Sequence, residues 1–595
     1  VLQLLTTTRE VLRVMPRGAS RYYGWYVFAT ASLAILDIIS MSLLALVMGP
    51  ILAGQEISIP ILGSFSKESG VWFVLIACGL IIVKGLIAIG LHWRATRRFA
   101  RYELEVGDRL LAAYTELRWD ARARMKTSDV TRLADSGIAN TTMGFLLPLA
   151  SVPGNALSFV AVALVLVVAQ PLGAVAVTAY LLLIAALLFF VISRKTLQAG
   201  RVNRDFAYLA AAVITELVDA LKEVTLRNRL VDARQHVHNL RRHAVRARAN
   251  ISFLAIVPKY VIEAALVGGL LIVGTIAFIG GGLNGAVVAV ALFGVVGFRM
   301  VPSLTGVQSS LTTASANLIY ARNVIDDISA ADHAASDRIL PATRSLPDRP
   351  RTLRLTNLSY RYPDADRDVL HSIDLEISIG SSLGVAGPSG AGKSTLIDVL
   401  LGLLVPTQGH VELDGVPIDA AQTEYRSLVA YVPQSVSLIA GTFAQNVALT
   451  WGDDLDEERV ERAMRRAQLG ELIDAHPLGI GARVDERGGN LSGGQRQRLG
   501  IARALYSDPL ILVMDEATSA LDGRTESAVT DAIAALDGDV TVIAIAHRLA
   551  TIRNLDRVAY MDAGRIIGVG SFEGLVADLP DFADQAQRAG LGGAL

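Results

Sequence analysis

Gly387-Pro388-Ser389-Gly390-Ala391-Gly392-Lys393-Ser394-Thr395 fits G-x-x-x-x-G-K-[ST], the loop that cradles phosphate in nucleotide hydrolases. It follows Leu383-Gly384-Val385-Ala386, which reads as a buried strand, and precedes Leu396-Ile397-Asp398-Val399-Leu400-Leu401, which reads as a helix. The motif requires strand, loop and helix in that order. Its glycines let backbone N–H groups turn inward toward phosphate oxygens, and the following helix adds the positive end of its dipole. Lys393 is placed to neutralise the β/γ-phosphates and the Ser394 hydroxyl to ligate Mg²⁺; Gly387, Ser389, Gly390, Gly392 and Thr395 complete the cradle. A glycine-rich turn matching by chance is the bland alternative. A second motif argues against it: Ile511-Leu512-Val513-Met514-Asp515-Glu516 is a buried strand ending in two carboxylates. Asp515 is placed to hold Mg²⁺ and Glu516 to polarise the attacking water.

Between these motifs stands Leu491-Ser492-Gly493-Gly494-Gln495, followed by Arg496-Gln497-Arg498. With that pentapeptide in place, residues 350–580 resemble the nucleotide-binding domain of ATP-binding cassette (ABC) transporters. The resemblance implies an α/β P-loop ATPase whose signature residues Ser492, Gly493, Gly494 and Gln495 bind ATP held by a second copy. It also implies roles for single residues. Gln434, in Tyr-Val-Pro-Gln, looks like the glutamine that senses Mg²⁺ and faces the membrane domain. Asp522, in Ser-Ala-Leu-Asp, looks like the D-loop aspartate, and His547 like the switch histidine on the γ-phosphate. Tyr362 sits where the family stacks an aromatic on adenine, with Tyr360 the weaker choice. Asp485-Glu486-Arg487-Gly488 departs from the usual Gly-Glu-Arg-Gly but keeps the glutamate, so a contact to a coupling helix of the membrane domain stays open.

At 595 residues the chain exceeds one hydrophobic core, and its 52% hydrophobic content exceeds a soluble norm. The net charge of −1 conceals an asymmetry: residues 1–330 hold 31 Lys/Arg against 19 Asp/Glu, and the remainder holds 24 against 37. A basic, apolar first half therefore precedes an acidic, soluble-looking second half; nothing in either points to nucleic acid. The single cysteine, Cys78, permits no disulfide within the chain. The first apolar run is too long for the core of a cleavable signal and lacks a clean cleavage site, so it reads as a membrane span.

Arg9, Arg13, Arg17 and Arg21 precede the aromatic cluster Tyr22-Tyr23-Gly24-Trp25-Tyr26, the pattern of a cytoplasmic membrane edge. Six apolar runs follow near 25–50, 71–92, 141–169, 172–193, 251–279 and 284–303, each long enough to cross a core of roughly 30 Å. Segments 93–140 and 194–250 are rich in arginine, whereas the opposite loops hold almost no positive charge. Both termini and the long connections are therefore expected on the cytoplasmic side. Arg101–Arg118 and Phe206–Leu226 show helical periodicity, so the spanning helices should run on into the cytoplasm. Six such helices and one cassette resemble an exporter-type half-transporter, whose coupling helices would fall near Trp119–Asp129 and Asp219–Asn228. Gln308–Ile328 reads as a helix. The expected domains are a transmembrane domain over 1–328, a linker over 329–350 and a nucleotide-binding domain over 351–595.

Charges inside the spans carry the remaining information. Asp37, Lys84, Lys259, Glu263 and Arg299 fall in apolar runs, where each costs on the order of 3 kcal/mol unless it meets a partner or water. Structural pairing of Asp37 with Lys84, pairing of Lys259 with Glu263, and snorkelling of Arg299 form one reading. In the other, Lys84, Lys259 and Arg299 line a cavity and attract an anionic headgroup. Pro153 and Pro258 would free backbone carbonyls where helices bend. Arg299-Met300-Val301-Pro302-Ser303 looks like the matching segment of lipid-linked oligosaccharide flippases, which also carry an external segment where this chain has Ile51–Gly70; Pro60 argues against one continuous helix there.

The expectation is thus a bacterial inner-membrane protein that uses ATP and Mg²⁺ to export or flip an amphipathic, anionic, lipid-linked substrate. One phosphate loop and one signature in the chain imply, by the resemblance, a second half-transporter, in the simplest case a homodimer. A multidrug, peptide or other lipid exporter is the alternative, and an ATP-gated channel or regulator a third reading.

Overall fold

The computed structural model describes residues 2–53, 57–59, 63–65, 69–117, 119–123, 136–334, 344–363, 365–485, 488–515, 538, 540–545 and 549–591. The chain divides into two compact units, Val1–Glu116 with Met125–Asp337, and Leu117–Arg124 with Arg338–Leu595.

The described part of the first unit is helical apart from one β-ribbon. An amphipathic helix α1 (Leu2–Val14) leads into α2 (Ala19–Ser32) and α3 (Ala34–Ala53), which are separated at Leu33. After α3 comes a two-stranded antiparallel ribbon, β1 (Ile57–Ile59) and β2 (Gly63–Phe65). Helix α4 (Ser69–Glu116) is 48 residues long, so at about 1.5 Å per residue it extends well past a bilayer core. Past it lies α5 (Trp119–Ala123), a short helix of the second unit. The turn α6 (Ser136–Ala139) leads into a π-helical stretch, Asn140–Leu146, just ahead of Pro148 at the start of α7 (Leu147–Ala169). Pro148 has no N–H to give, which suits it to a helix start. Helix α8 (Pro171–Asp219) is followed by the short α9 (Leu221–Leu226), which falls within the second segment expected to hold a coupling helix.

The last helical element, α10 (Leu230–Ala334), is a hairpin. Gly282 leaves the helical region, with φ 63 and ψ −159, a conformation that side-chain-bearing residues rarely adopt. The two arms then pack on each other: a Cβ on Gly274 would stand 3.1 Å from Val290 Cγ2, and one on Gly269 3.4 Å from Phe293 Cζ. In one straight helix Gly274 and Val290 would be about 24 Å apart. The second arm runs to Ala334, six residues into the stretch read as linker from 329. Among the described residues, five helical stretches are long and apolar enough to cross a membrane, the fifth containing this hairpin.

Buried polar contacts lock the helices of this unit. Gln308 Nε2 of α10 donates to the Ala185 carbonyl of α8 at 2.6 Å, and Ser151 of α7 meets Ser310 at 2.9 Å. Outward faces remain apolar, with Trp72, Leu86, Leu183 and Phe298 exposed, as lipid contact requires.

The described part of the second unit contains two large sheets and a small ribbon. One is antiparallel, in the order β4 (Leu370–Ser378), β3 (Thr352–Tyr360), β6 (Gln408–Leu413) and β7 (Val416–Pro417). The other runs β14 (Arg565–Gly570), β13 (Arg557–Asp562), β5 (Ser382–Ala386), β12 (Thr541–Ile545), β11 (Ile511–Asp515) and β8 (Val429–Val432), with all pairs parallel except β13–β14. Strands β11 and β12 are buried along nearly their whole length, which explains their unbroken apolar sequences. A small ribbon pairs β9 (Gly441–Thr442) with β10 (Arg483–Val484).

Segment Leu117–Arg124 packs as part of this second unit. Within it, Arg122 stands near Arg426 of helix α12 (Gln422–Leu428), whose pKa is lowered first by burial and then by that neighbouring charge. The first expected coupling helix therefore begins on the cassette side of the division, and its expected residues beyond Ala123 lie outside the described residues.

Candidate functional site

Parallel strands bring their C-terminal ends to one edge, and there the nucleotide motifs meet. Val385, Ile545 and Asp515 stand in adjacent register on β5, β12 and β11, and Val432 ends β8 beside Met514. The phosphate loop thus leaves β5 on the same edge as Asp515, one strand away across β12, with Gln434 two residues past the end of β8. Ligands bind in open α/β sheets at this kind of edge.

The loop closes tightly on itself. Gly387 has φ 150, and a Cβ there would collide with the Met561 carbonyl oxygen. Lys393 begins helix α11 (Lys393–Leu400) and donates to the carbonyls of Gly387 and Pro388 at 2.8 and 2.9 Å. Its ammonium is therefore held against the first residues of the loop that continues through Ser389, Gly390, Gly392, Ser394 and Thr395. Ser394 is exposed on the first turn. Tyr362 is 36% exposed, its hydroxyl 3.4 Å from Thr395 Oγ1, whereas Tyr360 is 2% exposed within the core. Of the two tyrosines, only Tyr362 presents a ring for stacking.

Asp515 is only half-buried and accepts a hydrogen bond from the Tyr431 hydroxyl at 3.3 Å. Burial, reinforced by the Asp515 and Asp398 charges, raises the Tyr431 pKa and keeps its hydroxyl a donor. Burial also pushes the Asp398 carboxyl up to about 6, with the Asp515 charge contributing second. A hydroxyl at Ser394 and a carboxylate at Asp515 are the hard oxygen donors that Mg²⁺ prefers, so the residues present fit that ion. Tyr431 was not singled out in the sequence. Its place two residues before Pro433 put it on the strand beside β11, which was the available signal.

The signature is a helix start. Ser492 caps helix α14 (Gly493–Tyr506): its Oγ accepts from the Gln495 N–H at 3.2 Å, and Gln495 Oε1 accepts from the Ser492 N–H at 2.8 Å. This is a capping box, written in the sequence as Ser-x-x-Gln. It leaves Gly493 and Gly494 at the positive end of the helix dipole. Three contacts tie α14 to the segment after β8. Gln497 Nε2 donates to the Pro433 carbonyl at 3.2 Å, Arg503 Nη1 donates to the Ser437 carbonyl at 2.9 Å, and a Cβ on Gly500 would meet Val436 Cγ2 at 2.5 Å. Signature helix and Gln434 segment are thus built on one another. Glu516, Asp522 and His547 lie outside the described residues, as do Glu486 and Arg487.

In the first unit the intramembrane charges converge on one carboxylate. Asp37 is fully buried on α3; Lys84 of α4 forms an ion pair with its Oδ2, and Arg299 Nη2 donates to its Oδ1 at 3.1 Å. Lys84 also reaches Ser158 Oγ of α7 at 3.4 Å. Arg299 therefore joins the Asp37 pair instead of snorkelling. Its buried Nε has no hydrogen-bond partner among the described residues. Lys259 stays apart: it is exposed, packs 5.8 Å from the Tyr260 ring, and forms no ion pair with Glu263 among the described residues. Four residues separate the two on one helix, but both side chains point outward without meeting.

Residues 370–519 match the family described as ABC transporter. Among similar proteins is the ATP-dependent lipid A-core flippase of Cupriavidus pinatubonensis (strain JMP 134), 43% identical over 225 residues, which cover 37% of this chain and 38% of that protein. The protein of the same name from Ralstonia nicotianae is 42% identical over 233 residues, covering 38% and 39%. That from Bordetella pertussis is 40% identical over 237 residues, covering 40% and 38%. The match thus spans about two-fifths of the length of these curated relatives. A solved structure of a bacterial Atm1-family ABC exporter with ATP bound superposes with a TM-score of 0.72 at 22% identity, covering 96% of this chain and 99% of that one. At that identity the likeness is one of fold.

Proposed function

We propose that this chain, an exporter-type ABC half-transporter with a helical membrane domain fused to one nucleotide-binding cassette, works as a homodimer that flips an anionic, lipid-linked amphiphile at the expense of ATP. Its transmembrane domain is residues 1–328, with six crossings because α10 folds back at Gly282; 329–350 links it to the cassette at 351–595. Both termini and the cassette lie on the cytoplasmic side of a bacterial inner membrane. Arginine-rich helical extensions and the likeness to lipid A-core flippases support this placement and substrate class.

The observation that carries the substrate reading is the Asp37 cluster. One buried carboxylate meets two cations, leaving a net positive charge inside the membrane domain and an unmatched donor at Arg299 Nε. A surplus cation in low dielectric favours an anionic group on the substrate. Lys84 holds the cluster together and Arg299 faces the headgroup; Lys259, apart from the cluster and exposed on this copy, is a further cation offered to the substrate.

The cycle follows from charge. Each ATP lies between Lys393 with its loop in one copy and Ser492 to Gln495 in the other, with Tyr362 against adenine and Asp522 across the interface. Ser394, Gln434 and Asp515 would hold Mg²⁺, which neutralises charge on the β/γ-phosphates when bound. Phosphate contacts draw the cassettes together and turn the cavity outward. Glu516 orients a water for in-line attack on the γ-phosphorus, His547 contacts the γ-phosphate, and ADP departs as the bond to its β-oxygen breaks. Loss of the bridging charge lets the cassettes part.

ATP turnover in liposomes tests this reading. Turnover should rise with an anionic lipid-linked glycan and fall to near background in Glu516→Gln, with ATP still bound. Unchanged hydrolysis in that variant would remove Glu516 from its role, and indifference to the glycan would remove the substrate class.

A further inference from the structure

A groove of about 610 Å³ lies between α1 and the start of α2, backed by Leu149 and Pro153 of α7. One stripe of α1 forms its wall: Leu5, Arg9, Leu12 and Arg13 recur at helical spacing, and Arg17 follows at the turn. The groove is lined by three arginines and no carboxylate. All three arginines are exposed, and none forms an ion pair or hydrogen bond among the described residues. The wall is also fixed. Another face of α1 buries Leu4 and Val11, and Arg109 Nη1 of α4 donates to the Val14 carbonyl at 3.2 Å while Arg109 Nη2 grips both oxygens of Asp332 at 2.6 and 2.8 Å.

The groove lies beside the start of the first apolar stretch, Ala19–Val47. Tyr22 and Trp25 stack just beyond it at 5.7 Å, and Trp25 and Phe28 are exposed on α2. Such aromatics mark the headgroup layer. Guanidinium groups over an apolar floor, at that depth, match a phosphate with acyl chains attached.

We propose that this groove is a binding site for an acidic glycerophospholipid of the cytoplasmic leaflet, with its phosphate among Arg9, Arg13 and Arg17 and its chains along Leu5, Val27 and Leu149. The site is separate from the Asp37 cluster, and binding there stands whether or not the chain translocates a glycan.

The test uses the full chain in nanodiscs containing photoactivatable phosphatidylglycerol or phosphatidylcholine, with crosslinked peptides mapped by mass spectrometry. Phosphatidylglycerol should label the α1 and Leu149–Pro153 peptides at least tenfold over phosphatidylcholine. The R9A/R13A/R17A variant should lose that label, because each basic residue at an anionic surface contributes roughly fivefold. R9K/R13K/R17K should keep most of it, and R241A/R242A all of it. Should the triple alanine variant fail to assemble, Arg13→Gln alone should weaken labelling about fivefold. Equal labelling by the two lipids, or full labelling of the alanine or Gln variant, would overturn the site. Displacement by millimolar glycerol phosphate would also overturn it, by making free phosphate the ligand.

Discussion

Arg299 Nη2 donates to Asp37 Oδ1 at 3.1 Å, joining residues 262 positions apart in the chain inside the membrane domain. Lys84 holds the other oxygen of the same carboxylate. Removing that carboxylate leaves two cations facing each other, and breaking a buried pair from one side typically costs about 3 kcal/mol or more. Asp37→Asn should therefore lower the Tm of the detergent-purified chain by several degrees, and Lys84→Met added to it should recover part of the loss. An Asp37→Asn protein as stable as wild type would show that the cluster is incidental.

Tyr431 acts on Asp515 from the neighbouring strand. Tyr431→Phe removes one hydrogen bond to a carboxylate, worth roughly 1–2 kcal/mol. If Asp515 supports Mg²⁺, the concentration of Mg²⁺ at half-maximal ATP turnover should rise about fivefold, while maximal turnover stays within about twofold. A change in maximal turnover alone would assign Tyr431 a different role.

Ser492 carries two duties that can be separated. Ser492→Ala loses the cap of α14, which costs about 1 kcal/mol, and also loses a hydroxyl at the nucleotide. Ser492→Asp restores the cap but places a negative charge beside phosphate. The alanine variant should be less stable and turn over slowly; the aspartate variant should regain stability and remain slow. Recovery of turnover in Ser492→Asp would limit the residue to capping.

Asp398 provides a pH signature. Its carboxyl is pushed up to about 6, chiefly by burial, against about 3.9 in an unfolded chain. Between those values the folded state binds more protons than the unfolded one, so stability falls as pH rises. With nucleotide and Mg²⁺ absent, Asp398→Asn should stabilise the protein by about 1 kcal/mol at pH 7.5, after allowance for solvent screening. The gain should vanish at pH 4, where wild type is protonated too. Equal gains at both pH values would trace the effect to packing.

Much of this site was legible because its information is local. A glycine-rich loop must follow a strand, as it follows β5, and an apolar run ending in a carboxylate reads as a buried strand, as β11 does up to Asp515. Other features depend on tertiary packing, which spacing alone does not encode. The Asp37–Lys84 pairing was open to inspection, but the third member required α10 to fold back at Gly282 and bring Arg299 across. Lys259 and Glu263 had favourable i, i+4 spacing, yet both side chains face outward. The π-helical stretch ahead of Pro148 also carried no periodic signal. The continuation of α10 to Ala334 went unread because Ser329–Ala334 is polar and small, a composition shared by linkers and helix ends.

The most direct test of the account is translocation itself. A fluorescent polyprenyl-pyrophosphate oligosaccharide is placed in proteoliposomes, and its transfer between leaflets is followed with ATP, for wild type, Glu516→Gln and Arg299→Ala. The account predicts ATP-dependent transfer in wild type, none above background in Glu516→Gln, and a reduction of about tenfold in Arg299→Ala, whose ATP binding is intact. Robust ATP hydrolysis without transfer of the glycolipid, or transfer indifferent to both substitutions, would contradict it.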